Sequence, residues 1–345
     1  MKVLIDSFGP PAFLAHGGAT TQVHETVRGL REQGVEVDFV RWWDKGQTGD
    51  IIHTFGVPNS GYIEFANLKG IPVVNTTLFT ATCNRSERKL DLQGAMVSTL
   101  LRIPGIPPWG SIRSQLKWNC YGKCDLNIVG LEAEANVLRK VYSVPDSRIK
   151  ILPLGLSETF LNAGHGNRKG DHLITTGTIT ERKRSVELAR MAKQAKVPIL
   201  FVGKPYDETE AYWKEFAGLI DGKYVKHVGH TESVEEMVEL LKSSRGYVLG
   251  SDYENWCLSA HEAIACGLPI LVPDQPWSRE LFAEQASYFA TGNMQENIGR
   301  MASFHASAGS LSPPGIRLFS WGEVAQMMVG AYEQMLAKKN RVPGR

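Results

Sequence analysis

No apolar run in the 345 residues approaches the ~20 that a helix needs to cross a bilayer, so the chain reads as soluble or, at most, peripheral. Cysteine is sparse. Five residues, an odd number scattered along the chain, do not make a disulfide framework, and a reducing cytosol is the easier home for them. Cys120 and Cys124 are the only close spacing, and two further ligands at matching spacing are missing. They read as buried or half-buried thiols, with no metal assigned. Excess charge is also lacking: 38 Lys and Arg against 36 Asp and Glu leave a formal +2, too little for a chain that binds nucleic acid. The opening Met-Lys-Val-Leu-Ile-Asp lacks the apolar length of a signal peptide, because an acid interrupts it, and it reads as a strand.

What is present is ordinary globular composition, 43% hydrophobic and 21% charged. The length exceeds what one core usually organises, so two domains are expected. Short β-branched runs alternate with amphipathic stretches, the pattern of a parallel sheet covered by helices. Strands are expected at Lys2–Ser7, Val35–Arg41, Asp50–Thr54, Pro72–Thr76 and Asp125–Val129, with a helix over Thr21–Gln33 that Gly34 stops. After Asn162–Gly170, read as a linker, a second series begins. Its strands are His172–Thr176, Pro198–Val202, Val225–Val228, Tyr247–Gly250 and Pro269–Pro273. Its helices are Ser185–Gln194, Glu208–Leu219, Ser233–Lys242 and Ala260–Cys266. A last helix over Trp321–Lys338 carries Val324, Met327, Met328, Tyr332 and Met335 at helical spacing, read as packing. The expected division is 1–160 joined by 321–345, and 161–320.

The most informative segment is Ser251-Asp-Tyr-Glu-Asn-Trp-Cys-Leu-Ser-Ala-His-Glu-Ala-Ile-Ala-Cys-Gly-Leu-Pro-Ile, between two strands. It puts Glu254 in a loop and Glu262 inside the helix that the loop opens. Unpaired amides at a helix N-terminus suit an anion. Carboxylates beside them would accept hydrogen bonds from ribose or sugar hydroxyls. Glu262 also has a structural reading, since Ser259-Ala-His-Glu has the spacing of a capping box. Glu254 alone would be a solvated loop acid.

The whole run resembles the retaining glycosyltransferases of the GT-B fold, family four. Their signature is a Glu, seven residues, a second Glu, Ala, a small-residue turn, Gly, any residue and Pro. Glu254, Glu262, Ala263, Ala265, Gly267 and Pro269 match it in register. The resemblance implies an α/β fold of two Rossmann-like doubly wound parallel-sheet domains facing across a cleft, with the N-terminal one on the acceptor side and the C-terminal one binding the donor. It implies that Glu254 contacts the transferred sugar and Glu262 the ribose. Gly17-Gly18 takes the place of the family's glycine loop, where backbone amides approach a diphosphate; standing alone it is as readily a tight turn. Leu152-Pro-Leu-Gly-Leu resembles the interdomain entry, and Phe319-Ser-Trp-Gly-Glu-Val the start of the closing helix. Thr176-Gly-Thr-Ile-Thr-Glu-Arg-Lys-Arg resembles the segment holding the donor diphosphate, with Arg182 and Lys183 as the cations that offset charge on the leaving group. As a bare charge run the same residues would be a solvated turn.

Three segments depart from the family. Thr178 stands where many relatives carry another Arg. Asn75, Thr76 and Thr77 stand where many place a His. Asn255-Trp256-Cys257 replaces a Gly-Phe-Gly type turn; with Leu258 it is assigned to the nucleotide sugar, and Trp256 either lines the sugar pocket or packs beneath it. His16 and His53 receive no role, and base recognition is expected near His227–Thr231.

The implied reaction moves a sugar from a nucleoside diphosphate to an acceptor hydroxyl with retention. No cofactor or metal is demanded besides the nucleotide sugar as co-substrate, and no Asp-x-Asp is present. A dinucleotide oxidoreductase fits poorly, because Gly17-Gly18 lacks Gly-x-Gly-x-x-Gly spacing and the second strand ends in Arg41 rather than an acid. An epimerase or hydrolase of nucleotide sugars on the same fold, and a non-catalytic binding protein, stay open. Between Cys83 and Lys123 seven cations face two acids, interleaved with apolar residues. The segment 85–123 is either a solvated insertion or a peripheral contact with anionic lipid. The expected partners are a nucleotide-sugar donor and a glycan or lipid-linked acceptor, as in glycan or lipopolysaccharide biosynthesis. The expected location is the cytoplasm or the inner membrane face.

Overall fold

Val3 and Ile5 point to one face of the first strand and Leu4 to the other, and all three are buried, so this strand lies between two helical layers. A computed structural model describes residues 1–8, 17–57, 60–79, 81–102, 120–166, 170–231, 233–290 and 292–340. The chain divides into two compact units. One comprises Met1–Leu14, Ala19–Gly155 and Trp321–Arg345, the other Ala15–Gly18 and Leu156–Ser320. In the second unit Leu156 N–H donates to the Phe319 carbonyl at 2.8 Å, so its entering and leaving segments are bridged.

The first unit holds β1 (Lys2–Ser7), β2 (Glu36–Phe39), β3 (Ile51–Phe55), β4 (Val73–Thr76), β5 (Leu126–Val129) and β6 (Ile149–Ile151). They form one sheet in the order β2-β1-β3-β4-β5-β6, every pair parallel. Its helices are α1 (Gly18–Glu32), α2 (Ser60–Leu68), α3 (Glu87–Arg102) and α4 (Glu132–Tyr142). Val27 and Leu30 of α1 pack on Val3, Ile5 and Ile51. Ile63 of α2 and Leu138 of α4 pack with Leu4 and Ile52 in a second cluster, which also takes in Cys120 and Cys124. Both thiols are buried, as expected.

The closing helix, Trp321–Asn340, returns to this unit and packs Met328, Tyr332 and Met335 into the α1 cluster. The stripe is core, as its spacing implied. It is also tied by hydrogen bonds: Tyr332 Oη lies 2.6 Å from His53 Nδ1, and His53 Nε2 lies 2.7 Å from Thr76 Oγ1. Burial drives the His53 pKa down to about 3, so the ring is neutral, with one nitrogen donating and the other accepting. His53 is therefore a structural residue. Tyr332→Phe should strand a buried ring nitrogen and lower the unfolding free energy by about 1–3 kcal/mol, read as a lower urea midpoint. The unfolded imidazole takes a proton near 6.5 and the folded one near 3. This contribution is therefore present above the higher value and lost as pH falls through the lower.

The second unit holds β7 (Leu173–Thr176), β8 (Ile199–Val202), β9 (Val225–Val228), β10 (Gly246–Val248), β11 (Ile270–Pro273) and β12 (Ser287–Phe289), again one parallel sheet. The order is β12-β11-β10-β7-β8-β9. Numbering helices onward in chain order, the single turn Glu158–Leu161 is α5, followed by α6 (Ser185–Ala195), α7 (Ala211–Ala217), α8 (Val234–Ser243), α9 (Leu258–Ala265), α10 (Pro276–Phe282), α11 (Met294–Ser307) and the closing helix α12. Ser233 caps α8 by accepting from Glu236 N–H at 3.1 Å. Leu188, Ala189 and Ala192 of α6 meet Met301 and Phe304 of α11 in the core. The doubly wound architecture expected from the alternation is present in both sheets.

Candidate donor site

In the second sheet the strand order reverses between β7 and β10, which lie side by side although two strands and their helices separate them in sequence. Ligands of doubly wound sheets bind beyond the carboxyl ends of strands at such a switch point. The segment leaving β7 carries Arg182 and Lys183, and the segment leaving β10 carries Glu254. Topology thus brings together residues about seventy positions apart.

Past β7, Gly177 turns at φ +139°. The neighbouring Gly203 at the end of β8 could not carry a side chain, since a Cβ there would lie 2.1 Å from the Gly177 carbonyl oxygen. The single turn Glu181–Lys183 follows, closed by Arg184 at φ +51°. The loop after β10 is bound to this turn through the backbone: Asp252 N–H donates to the Arg182 carbonyl at 3.0 Å. Arg184 Nε lies 2.5 Å from Asp252 Oδ1. Sequence reasoning missed this Arg184–Asp252 pair, because chain separation gives no signal for it.

The Glu254 carboxylate is nearly buried. Lys183 Nζ donates to its Oε1 at 2.6 Å, and Arg182 Nη1 to the same oxygen at 3.1 Å. Arg182 also donates to the Tyr253 carbonyl at 2.7 Å. Burial would raise the Glu254 pKa, but the charges of Lys183 and Arg182 outweigh it and hold the carboxyl below its ordinary range. Side-chain exposure is 14% for Lys183 and 53% for Arg182, so Lys183 acts through the lower dielectric and carries more of the effect. The solvated-turn and loop-acid readings of these three residues are both replaced by one ion-paired cluster.

Helix α9 begins at Leu258, with Cys257 before it in the left-handed region at φ 60° and ψ 55°. This corrects the capping-box reading. The backbone reversal at Cys257 starts the helix two residues earlier than Ala260, so Ser259 is its second residue and cannot be its cap. The Ser259 hydroxyl bonds instead to Tyr247 Oη at 2.8 Å. Glu262 is consequently released from capping. It is half-buried, without a hydrogen-bond partner for its side chain among the described residues, and burial pushes its pKa up to about 7 against the Lys183 charge.

Trp256 stacks on His261, with ring centroids 5.1 Å apart and planes at 16°. His261 is buried, its Nδ1 3.0 Å from the Cys257 carbonyl oxygen, and burial lowers its pKa to about 4. Asn255 Nδ2 donates to Tyr253 Oη at 3.4 Å. Asn255, Trp256 and Leu258 are half-buried and Cys257 is buried, so this turn is ordered by its own contacts. Gly17 lies at φ +138° and Gly18 opens α1, both exposed. His227 Nε2 meets the Gly203 carbonyl oxygen at 2.7 Å. His16 lies outside the described residues.

Residues 163–304 match the family glycosyl transferases group 1. In sequence the chain is similar to the MMP alpha-(1->4)-mannosyltransferase of Mycolicibacterium hassiacum, 24% identical over 306 residues that cover 84% of this chain and 71% of that protein. In structure it is similar to sucrose-phosphate synthase from Thermosynechococcus elongatus, with a TM-score of 0.70 at 19% identity, covering 98% of this chain and 99% of that one. It is also similar to HepE of Anabaena, solved in complex with UDP and glucose, with a TM-score of 0.63 at 12% identity and coverage of 96% and 99%. The family match, the mannosyltransferase relative and the two parallel sheets together support a group 1 glycosyltransferase of the GT-B fold.

Proposed function

We propose that the chain transfers a sugar from a nucleoside-diphosphate sugar to an acceptor hydroxyl with retention, without a metal ion. The observation that carries this reading is the Glu254 carboxylate held by Arg182 and Lys183 at the switch point, beside an unpartnered Glu262. Two cations and two carboxylates in one place suit a ligand that is anionic at its centre and hydroxylated at both ends. The diphosphate takes Arg182 and Lys183, which share their charge between it and Glu254. Glu262 accepts from ribose hydroxyls, and Glu254 from hydroxyls of the sugar.

In the reaction the bond between the anomeric carbon and the diphosphate oxygen breaks, and both electrons leave with the diphosphate. Arg182 and Lys183 offset that growing charge, in the role a metal ion would otherwise fill. The acceptor oxygen bonds to the same face of the anomeric carbon, and its proton passes to a diphosphate oxygen. Such a route needs no separate base. A glycan or lipid-linked acceptor fits the expected partners.

Incubation with radiolabelled nucleotide sugars, beginning with UDP-glucose because HepE holds UDP and glucose, tests the reading. Transfer of label to an acceptor is expected. Recovery of an isomerised nucleotide sugar would make the protein an epimerase, and tight binding without product would make it a sugar-nucleotide binding protein.

Glu262 adds a pH dependence. Its carboxyl titrates near 7, and a ribose hydroxyl bonds best to the charged form, so nucleoside-diphosphate affinity should rise with pH through that value. The increase is at most about tenfold per pH unit. Calorimetric titrations across this range should show the rise in the wild type, and Glu262→Gln should flatten it to whatever the ligand's own phosphates contribute.

A further inference from the structure

Helix α3 turns apolar side chains outward. Leu90 and Val97 are buried on its inner side, and Gly94 seats the helix so closely on α4 that a Cβ would lie 2.0 Å from the Lys140 carbonyl oxygen. That contact fixes which side of α3 faces out. On the outer side Leu92 is 74% exposed and Met96 53% exposed, with Arg88 and Lys89 exposed on the same side. At 100° per residue these four fall within one arc of about a quarter turn. The two acids of the helix, Glu87 and Asp91, lie toward α4, where Lys140 Nζ meets them at 3.6 Å and 3.3 Å. The outward face is therefore cationic and apolar at once, with no carboxylate in it.

We propose that this face of α3 docks on an anionic lipid surface. A second copy of the chain fits it poorly, because in a two-fold contact the same face stands on both sides and offers no carboxylate to Arg88 and Lys89. A soluble anion would satisfy the cations and leave Leu92 and Met96 in water. A bilayer with anionic headgroups satisfies both, the cations at the headgroup level and the two apolar side chains just beneath them. Of the basic segment 85–123, residues 103–119 lie outside the described residues, and these four stand on its described helix. Lipid docking goes beyond the donor-site reading and stands independently of it.

Sedimentation of the full chain with vesicles of phosphatidylcholine, with and without phosphatidylglycerol, tests the proposal. The protein is expected to sediment with the anionic vesicles at low salt, to be released at high salt, and to ignore phosphatidylcholine alone. Arg88→Gln with Lys89→Gln should weaken vesicle binding about 30-fold, at roughly fivefold per cation, and Leu92→Gln with Met96→Gln about tenfold or more. An equal charge loss in the second unit, Lys214→Gln with Lys226→Gln, should change it less than threefold. The thermal shift given by a nucleoside diphosphate should be the same in all three variants, which separates failure here from failure of the donor site. Wild-type protein left in the supernatant, equal weakening by the control pair, or self-association that the Leu92 and Met96 changes abolish without lipid would each overturn the proposal.

Discussion

Replacing Glu254 by glutamine should lower kcat by about 10²–10³-fold while changing donor KM little, the scale seen when one preorganised electrostatic contact is removed from a buried site. The side chain keeps its shape, so the loss reports charge. Glutamine cannot hold Lys183 at 2.6 Å as an ion pair, and Lys183 is largely shielded from water. Breaking this partly buried pair should also cost about 2–3 kcal/mol of stability, short of the 3–5 kcal/mol typical of fully buried pairs. Steady-state kinetics with a urea titration on the same preparation separates the two effects. Full activity in a destabilised variant would leave Glu254 a purely structural residue.

Lys183→Ala should be as damaging, with a different signature. Its ammonium is assigned to the leaving diphosphate, so kcat should fall about 10²–10³-fold and donor KM should rise with it. Arg182→Ala should cost less, because its side chain is 53% exposed against 14% for Lys183 and water screens it. The removal also alters Glu254. With the largest opposing charge gone, burial weighs more heavily, and the Glu254 pKa should climb from its depressed position. At saturating donor, where the effect of Glu262 on affinity no longer enters, the residual kcat of Lys183→Ala should therefore increase with pH over a range where the wild-type kcat is flat. A pH-independent residual rate would show that Lys183 does not tune Glu254.

The strands that carry this site were legible because parallel strands buried on both faces are continuous apolar runs. Tyr247–Gly250 and His172–Thr176 each fall within two residues of β10 and β7. β6 and β12 have three residues each with a polar one among them, whereas β10, equally short, is read from the unbroken apolar Tyr247–Leu249. Alternation also cannot reveal strand order, so nothing in the spacing showed that β7 and β10 are neighbours. The pairing of Lys183 with Glu254 depended on that order alone. Register between Glu254 and Glu262 was legible, but the cap was misplaced. Only the backbone shows that Cys257 takes the left-handed conformation, which sequence rules reserve mainly for Gly and Asn. That one dihedral moved the helix start and freed Glu262. On α3, cations and apolar residues were visible as composition, whereas their confinement to one face needed the Gly94 contact with α4.

A thermal-shift titration of the wild type and Lys183→Ala with uridine, guanosine, adenosine and thymidine diphosphates probes the proposed donor site most directly. One nucleotide should raise the wild-type melting temperature by about 5–10 °C at a hundredfold excess over Kd, and that shift should shrink to less than half in Lys183→Ala. No shift with any of the four, or an undiminished shift in the variant, would contradict a nucleoside-diphosphate site built on Arg182, Lys183, Glu254 and Glu262.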